Sequence, residues 1–269
     1  MDLDPDAAPL VLVVAGHDSS GRAGLDADLE AARALEARAV AVATANTVQD
    51  ERGVRAVGAR EPGAWLEEAL AVDRPTALKL GLLPGADHVE AAARLVRSLR
   101  EGGAALPVVV DPVLEATSGF VFLDRAARAA LGERLGPLGV VWTPNLPEAA
   151  ALAGRPLAAL EASEAERIEA AGVLLAAGAG GVVLKGGHAR GEVVCDLVVE
   201  PDREPARIES PRRPGAVLGG TGCRHATALA VCLARGASLA CAARAAGALV
   251  RARLDALPRE AGRAGPRRA

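Results

Sequence analysis

The sequence predicts a three-layer α/β/α domain built around a mainly parallel sheet, and three observations predict it. Apolar runs such as Leu10-Val11-Leu12-Val13-Val14-Ala15 and Val182-Val183-Leu184 are short and unbroken rather than alternating, as strands covered on both faces require. Between them lie longer segments whose apolar residues recur at helical spacing. The runs end in glycine or in a polar residue beside proline, so strand, loop and helix follow one another in a steady order. Right-handed crossovers then place helices on both faces of the sheet.

Each element has its own signal. The run ending at Gly16 is a buried strand, and His17-Asp18-Ser19-Ser20-Gly21-Arg22-Ala23-Gly24 follows it as a loop. Leu25, Leu29, Ala32 and Leu35 mark a helix, with Asp26 and Asp28 in the first turn where the helix dipole favours acids. The glycine spacing matches neither G-x-G-x-x-G nor the P-loop, so neither motif is assigned. Residues 39–44 read as a second strand and residues 46–53 as a polar excursion forming part of a lid. A helix over 63–72, a strand over 76–80 and a helix over 87–100 continue the alternation. Residues 107–110 make a strand closed by Asp111-Pro112, and residues 139–142 one closed by Thr143-Pro144-Asn145. Residues 164–177 are helical, 181–184 form a strand, and 193–200 with 206–210 form a hairpin. Two alanine-rich helices close the fold. Ligands of open α/β sheets bind at the carboxyl ends of the strands, so Asp18, Asp111, Asn145 and Lys185 are expected along one edge.

Bulk properties narrow the function. The 269 residues are expected to form one domain over 1–258, with an Arg/Gly/Pro tail over 259–269. A composition 51% hydrophobic and 24% charged, with net charge −3, gives no ground for a nucleic-acid or anionic-membrane partner. No apolar run is long enough to span a bilayer, and Met1-Asp2-Leu3-Asp4 lacks the basic flank of a signal peptide, so a cytoplasmic protein is expected. Cys195, Cys223, Cys232 and Cys241 show no C-x-x-C spacing and are expected to be reduced thiols. Of 31 basic residues only Lys79 and Lys185 are lysine, each at the end of an apolar run. A chain that writes arginine almost everywhere keeps a compact ammonium at these two places, which points to a geometric need.

Gly219-Gly220-Thr221-Gly222-Cys223 precedes the first alanine-rich helix. Glycines there can bring bare backbone N–H groups to an anion, helped by the first-turn donors and the positive end of the helix dipole. A cysteine at such an end is expected to have a lowered pKa, and so to take a proton or attack an electrophile. The alternative is a plain helix start with Cys223 packed as a small apolar residue. Asn145 and Glu148 likewise allow two readings: both facing a hydrated magnesium ion, or forming a capping box. Carboxylates, an amide, a lysine and an anion-cradling turn are the set that phosphoryl transfer uses, since its catalysis is mainly positioning and charge neutralisation.

These motifs, in this order, carry a resemblance. Ala15-Gly16-His17-Asp18-Ser19-Ser20-Gly21, Lys79-Leu80-Gly81, Asp111-Pro112-Val113, Thr143-Pro144-Asn145-Leu146-Pro147-Glu148, Lys185-Gly186-Gly187-His188 and Gly220-Thr221-Gly222-Cys223 resemble hydroxymethylpyrimidine/phosphomethylpyrimidine kinases, thiamine-biosynthetic enzymes of the ribokinase-like superfamily. The resemblance spans residues 10–257. It implies a ribokinase-like fold and an ATP- and Mg²⁺-dependent kinase that phosphorylates 4-amino-5-hydroxymethyl-2-methylpyrimidine and then its monophosphate. By it, Cys223 would be the base, the backbone of Gly220, Thr221, Gly222 and Cys223 the anion hole, and Lys185 and Asp111 would lie near the ATP phosphates. Asn145 and Glu148 would hold the metal shell through water, while Asp28, Ala23 and Val113 would border the pyrimidine. A homodimer is the family habit.

The sequence also departs from the family pattern. Ala45 stands where the family has Gln or Glu bonded to the pyrimidine, Arg22 where it has Gly, Asp26 where it has Gln, and Val217-Leu218-Gly219 where it has Asn-Thr-His. The phosphate side is thus better kept than the acceptor side. Two alternatives follow: a related kinase with another acceptor, such as pyridoxal, and a non-catalytic regulatory protein that binds nucleotide or pyrimidine.

Overall fold

The first apolar run becomes an inner strand of the sheet, and its alternate residues go to opposite layers. Val11, Val13 and Ala15 pack with Leu25, Ala226, Leu229 and Ala242, whereas Leu12 and Val14 pack with Trp65, Leu95 and Val96. Both faces are covered, which is why no polar residue alternates with apolar ones in this run. The computed structural model describes residues 8–50, 53–116, 118–189, 191–214 and 218–257. The expected tail over 259–269 and Val217 lie outside them.

Nine strands form one sheet: β1 (Leu10–Asp18), β2 (Arg38–Asp50), β3 (Gly53–Ala59), β4 (Ala77–Leu80), β5 (Val108–Val110), β6 (Val141–Trp142), β7 (Gly181–Leu184), β8 (Val193–Val199) and β9 (Ala206–Pro211). Their order is β3-β2-β1-β4-β5-β6-β7-β8-β9. The six strands from β2 to β7 in that order pair in parallel, and β3, β8 and β9 join antiparallel. The chain leaves β1 on one side for β2 and returns on the other as β4. The reversal opens a crevice at the carboxyl ends of the strands.

The helices are α1 (Gly24–Ala34), α2 (Pro62–Leu70), α3 (Ala86–Leu99), α4 (Arg125–Ala130), α5 (Leu146–Ala153), α6 (Leu157–Ala162), α7 (Glu164–Ala176), α8 (Thr221–Ala234) and α9 (Leu239–Asp255). Helices α1, α8 and α9 cover one face, and α2 to α7 the other. Buried Ala226, Ala228 and Ala230 let α8 lie close against the sheet. The three-layer expectation therefore holds. None of the helices among the described residues is long and apolar enough to cross a membrane.

One expected loop is a strand. Residues 46–50 extend β2, and Asn46, Thr47 and Val48 pair with Gly58, Val57 and Ala56 of β3. β-Branched Thr47 and Val48 favour the extended backbone, while the polar residues that suggested a loop belong to an arm with one face outward. Val48 is 57% exposed. Beside the arm, the Val54 N–H donates to Ser118 Oγ at 3.3 Å.

A buried ion pair ties the first face together. Lys79 Nζ of β4 donates to Asp28 Oδ2 of α1 at 2.8 Å, and Thr227 Oγ1 of α8 donates to Asp28 Oδ1 at 2.7 Å. Lys79 and Asp28 are both 0% exposed. Burial opposes the ammonium, but Asp28, Cys223 and Asp111 outweigh it and hold Lys79 above the usual lysine range. Burial likewise pushes the Asp28 carboxyl up, while its two donors favour the anion and draw it back. Removing one partner leaves the other charge uncompensated. Asp28→Ala is therefore expected to cost about 3–5 kcal/mol in a urea titration, and Thr227→Val about 1 kcal/mol. A loss below about 1 kcal/mol for Asp28→Ala would contradict this account of the packing.

Candidate active site

The start of α8 supplies backbone donors. Gly220 caps it at φ +70°, and a side chain there would meet Ala23 Cα and Arg22 O at 2.8 Å, so only glycine fits. The helix begins earlier than the sequence suggested, at Thr221, and its first intrahelical bond runs from the Arg224 N–H to Gly220 O at 3.0 Å. Thr221, Gly222 and Cys223 therefore form the first turn, where N–H groups lack a helical acceptor and face an anion readily.

The strand ends supply charge to the same place. Lys185 Nζ, just past β7, donates to Asp111 Oδ1, just past β5, at 2.8 Å. Thr143 Oγ1 lies 3.4 Å from the same oxygen. A Cβ on Gly222 would stand 3.2 Å from Lys185 Nζ and 3.3 Å from Asp111 Oδ2, so the bare glycine lets the helix start against this pair. Asn145, after β6, bridges to Lys185. Burial pushes the Asp111 carboxyl up, yet Lys185 and Lys79 more than offset it and hold it below the usual range. For Lys185 burial works downward, and Asp111 and Glu148 outweigh it. Glu148, also buried, is pushed up to about 7 by burial, with Lys185 pulling the other way and Asp111 adding to the rise.

Asn145 and Glu148 form the capping box: the Glu148 N–H donates to Asn145 Oδ1 at 2.9 Å and the Asn145 N–H to Glu148 Oε2 at 2.8 Å. One oxygen of each is thus engaged in starting α5. Among the described residues there is no group of three or more His, Cys, Asp or Glu arranged to hold a metal by themselves. Cys223 corrects the sequence expectation. Its half-buried thiol is pushed up to about 12 by burial, a larger effect than the downward pull of Lys79.

Ala23 borders the Gly220 turn, and its N–H donates to Asp18 Oδ2 at 2.8 Å. Val113 follows Asp111 and packs on the core while staying partly exposed. Asp28 is 0% exposed and accepts one bond each from Lys79 and Thr227, and Ala45 is 0% exposed within the core. Asp18 shapes the first loop by accepting from the Ser20 N–H and hydroxyl at 2.7 and 2.9 Å.

Sequence reasoning missed Arg224. Its Nε and Nη2 donate to Glu30 Oε2 at 3.0 and 2.5 Å, and Nη1 donates to Gly219 O, which fastens the glycine turn to α1. The pair is 194 residues apart in sequence, so no local pattern announces it. Thr143 was within reach of sequence reasoning, as a polar residue directly after an apolar strand.

Comparison with known proteins came down on one family. A family model described as phosphomethylpyrimidine kinase matches residues 18–266. A hydroxymethylpyrimidine/phosphomethylpyrimidine kinase of Rhizobium meliloti is 40% identical over 257 residues, covering 93% of this chain and 92% of its own. Among solved structures, phosphomethylpyrimidine kinase from Clostridium difficile is 25% identical with a TM-score of 0.75, covering 92% of this chain and all of its own. Pyridoxal kinase from Staphylococcus aureus in complex with AMP-PCP and pyridoxal is 28% identical with a TM-score of 0.78, covering 91% of this chain and 87% of its own.

The raised Cys223 pKa has a chemical readout. Only thiolate alkylates, so its fraction climbs about tenfold per pH unit until the pKa is reached. Alkylation of Cys223 by iodoacetamide, followed by peptide mass spectrometry, is expected to keep accelerating through about pH 10. A plateau below about pH 9 would show a lowered pKa instead.

Proposed function

The chain belongs to the phosphomethylpyrimidine kinase family, and we infer from that premise how its residues perform the transfer. It is a kinase that carries a phosphoryl group from ATP to the hydroxymethyl group of 4-amino-5-hydroxymethyl-2-methylpyrimidine and then to the resulting monophosphate, in thiamine biosynthesis. The observation that carries the residue assignment is the placement of the Lys185–Asp111 pair within about 3.3 Å of the position of a Gly222 side chain. Donors and an ammonium meet there, at the carboxyl edge of the sheet, where phosphates would be gripped from two sides.

In this reading the N–H groups of Thr221, Gly222 and Cys223 hold the charge that develops on the transferred group, and Lys185 turns its ammonium to the phosphates. The Cys223 sulfur lies against the acceptor hydroxyl and orients it. A loose transition state leaves that hydroxyl protonated until late, so a protonated thiol can position the nucleophile; as the new O–P bond forms and the bond to ADP breaks, the proton passes to an oxygen of the transferred phosphoryl group. The donor set fits Mg²⁺ bound mainly by nucleotide phosphates and water: Glu148 offers one buried carboxylate, and magnesium keeps most of its waters. When bound, the ion would neutralise charge on the phosphates, with Asn145 and Glu148 meeting its water shell. Cytoplasmic location and a homodimer complete the proposal, the latter open to test by light scattering.

A second reading has an observation of its own. Ala45 puts a buried methyl where the family uses an amide or carboxylate on the pyrimidine, and pyridoxal kinases share the fold closely. A site without that polar partner discriminates less among hydroxymethyl heterocycles.

An acceptor screen with Mg-ATP separates the two. The pyrimidine alcohol is expected to yield mono- and diphosphate, detected by mass spectrometry, with kcat/KM above that for pyridoxal. Cys223→Ala is expected to lower kcat by at least about tenfold. A higher kcat/KM on pyridoxal would transfer the assignment to the second reading, and no turnover of either acceptor would refute both.

A further inference from the structure

Among the described residues, His225 is the one buried side chain whose polar atoms find no hydrogen-bond partner. Both Nδ1 and Nε2 are orphaned, at 4% exposure. An imidazole in that condition costs stability, and a native protein that keeps one calls for an explanation. Ala228 and Leu229, one turn on along α8, are buried and apolar and offer the ring no hydrogen bond.

The charged groups that act on the ring are Asp196, Lys185 and Asp111. His225 lies three residues beyond Gly222 and so on the same helix face, the face turned to Lys185 Nζ and Asp111 Oδ2. From β8 comes Asp196, whose Oδ1 accepts the Gly186 N–H at 2.7 Å, directly after Lys185. Burial pushes the imidazole down to about 4, with Asp196 and Asp111 pulling upward and Lys185 downward. The ring is therefore neutral at ordinary pH, with one nitrogen a donor and the other an acceptor.

The geometry also shows a difficulty that the kinase must meet. Lys185 gives one of its three N–H donors to Asp111, and a phosphate that draws the ammonium toward itself stretches that bond. Asp111 is 3% exposed, Thr143 Oγ1 at 3.4 Å is its other hydrogen-bond partner, and a buried carboxylate whose ammonium moves off is costly. We propose that His225 is a positioning residue for the phosphate end of the site: as Lys185 turns to phosphate, the His225 ring N–H takes over the Asp111 carboxylate. The orphaned ring is thus held in reserve for the nucleotide-bound arrangement. This inference rests on the kinase reading and concerns how the nucleotide end of that site is prepared.

Three variants test it. In His225→Leu the unpaired polar group is gone, so the melting temperature is expected to rise by a few degrees while the ATP Kd, by calorimetry, and the ATP KM rise about tenfold. The acceptor KM is expected to stay within about twofold, and His225→Gln, which retains a donor, to recover most of the ATP affinity. A purely structural histidine would instead lose melting temperature and both KM values together, and that result would overturn the proposal. So would an ATP Kd within about twofold of the parent in His225→Leu. Should the leucine variant not fold, His225→Ala against His225→Gln makes the same comparison, with equal ATP affinities as the contrary result. A parent that turns over no acceptor speaks against the kinase reading, whereas an active parent with an indifferent leucine variant speaks against His225 alone.

Discussion

The contact on which the site depends is the 2.8 Å bond between Lys185 and Asp111 at the carboxyl edge of the sheet. It brings together the ends of β5 and β7, which are separated in the sheet by β6, and α8 begins directly against it because Gly222 has no side chain. A larger residue at Gly222 would press on both charged groups. Lys185 and Lys79 hold Asp111 below the usual carboxylate range in spite of burial, while burial raises Glu148 to about 7. Of the two side chains, Lys185 keeps the larger exposed fraction, 15% against 4% for Asp111.

The two lysines explain each other. Lys79 and Lys185 are the chain's only lysines among 31 basic residues, and each sits in a carboxylate pair at a strand end, Lys79 fully buried. A compact ammonium fits beneath a helix where a planar guanidinium would need more room and more acceptors. Where the chain needs a fork, it uses arginine: Arg224 spans Glu30 and the Gly219 carbonyl and locks the glycine turn to α1. The Lys79–Asp28–Thr227 set fixes α1 and α8 against β4, which keeps the α8 N-terminus in register with the strand ends.

Much of the fold was legible because burial on both faces leaves a plain mark in sequence. The runs at 10–16 and 181–184 were strands, the alanine-rich segments were helices, and the residues just past the strands shared an edge. Residues 46–50 misled because an arm with an outward face carries polar residues as a loop does, and only pairing with β3 distinguishes them. Cys223 misled for a different reason. A helix start lowers a thiol pKa when water can reach it, and the sequence gives no measure of how far the packing of α1, α8 and β4 dries the site.

By itself the sequence determined the kind of chemistry and the order of its parts, since the spacing of Lys185, Asp111, Asn145, Glu148 and the glycine turn is fixed by local rules of strands, turns and helix starts. Tertiary structure alone decided what each group is free to do. It built Asn145 and Glu148 into a capping box, paired Asp28 with Lys79, raised the Cys223 thiol, and left both nitrogens of His225 without partners. The physical reason is that hydrogen bonding and proton affinity depend on distance and desolvation across elements far apart in the chain, and neither quantity is written in local sequence.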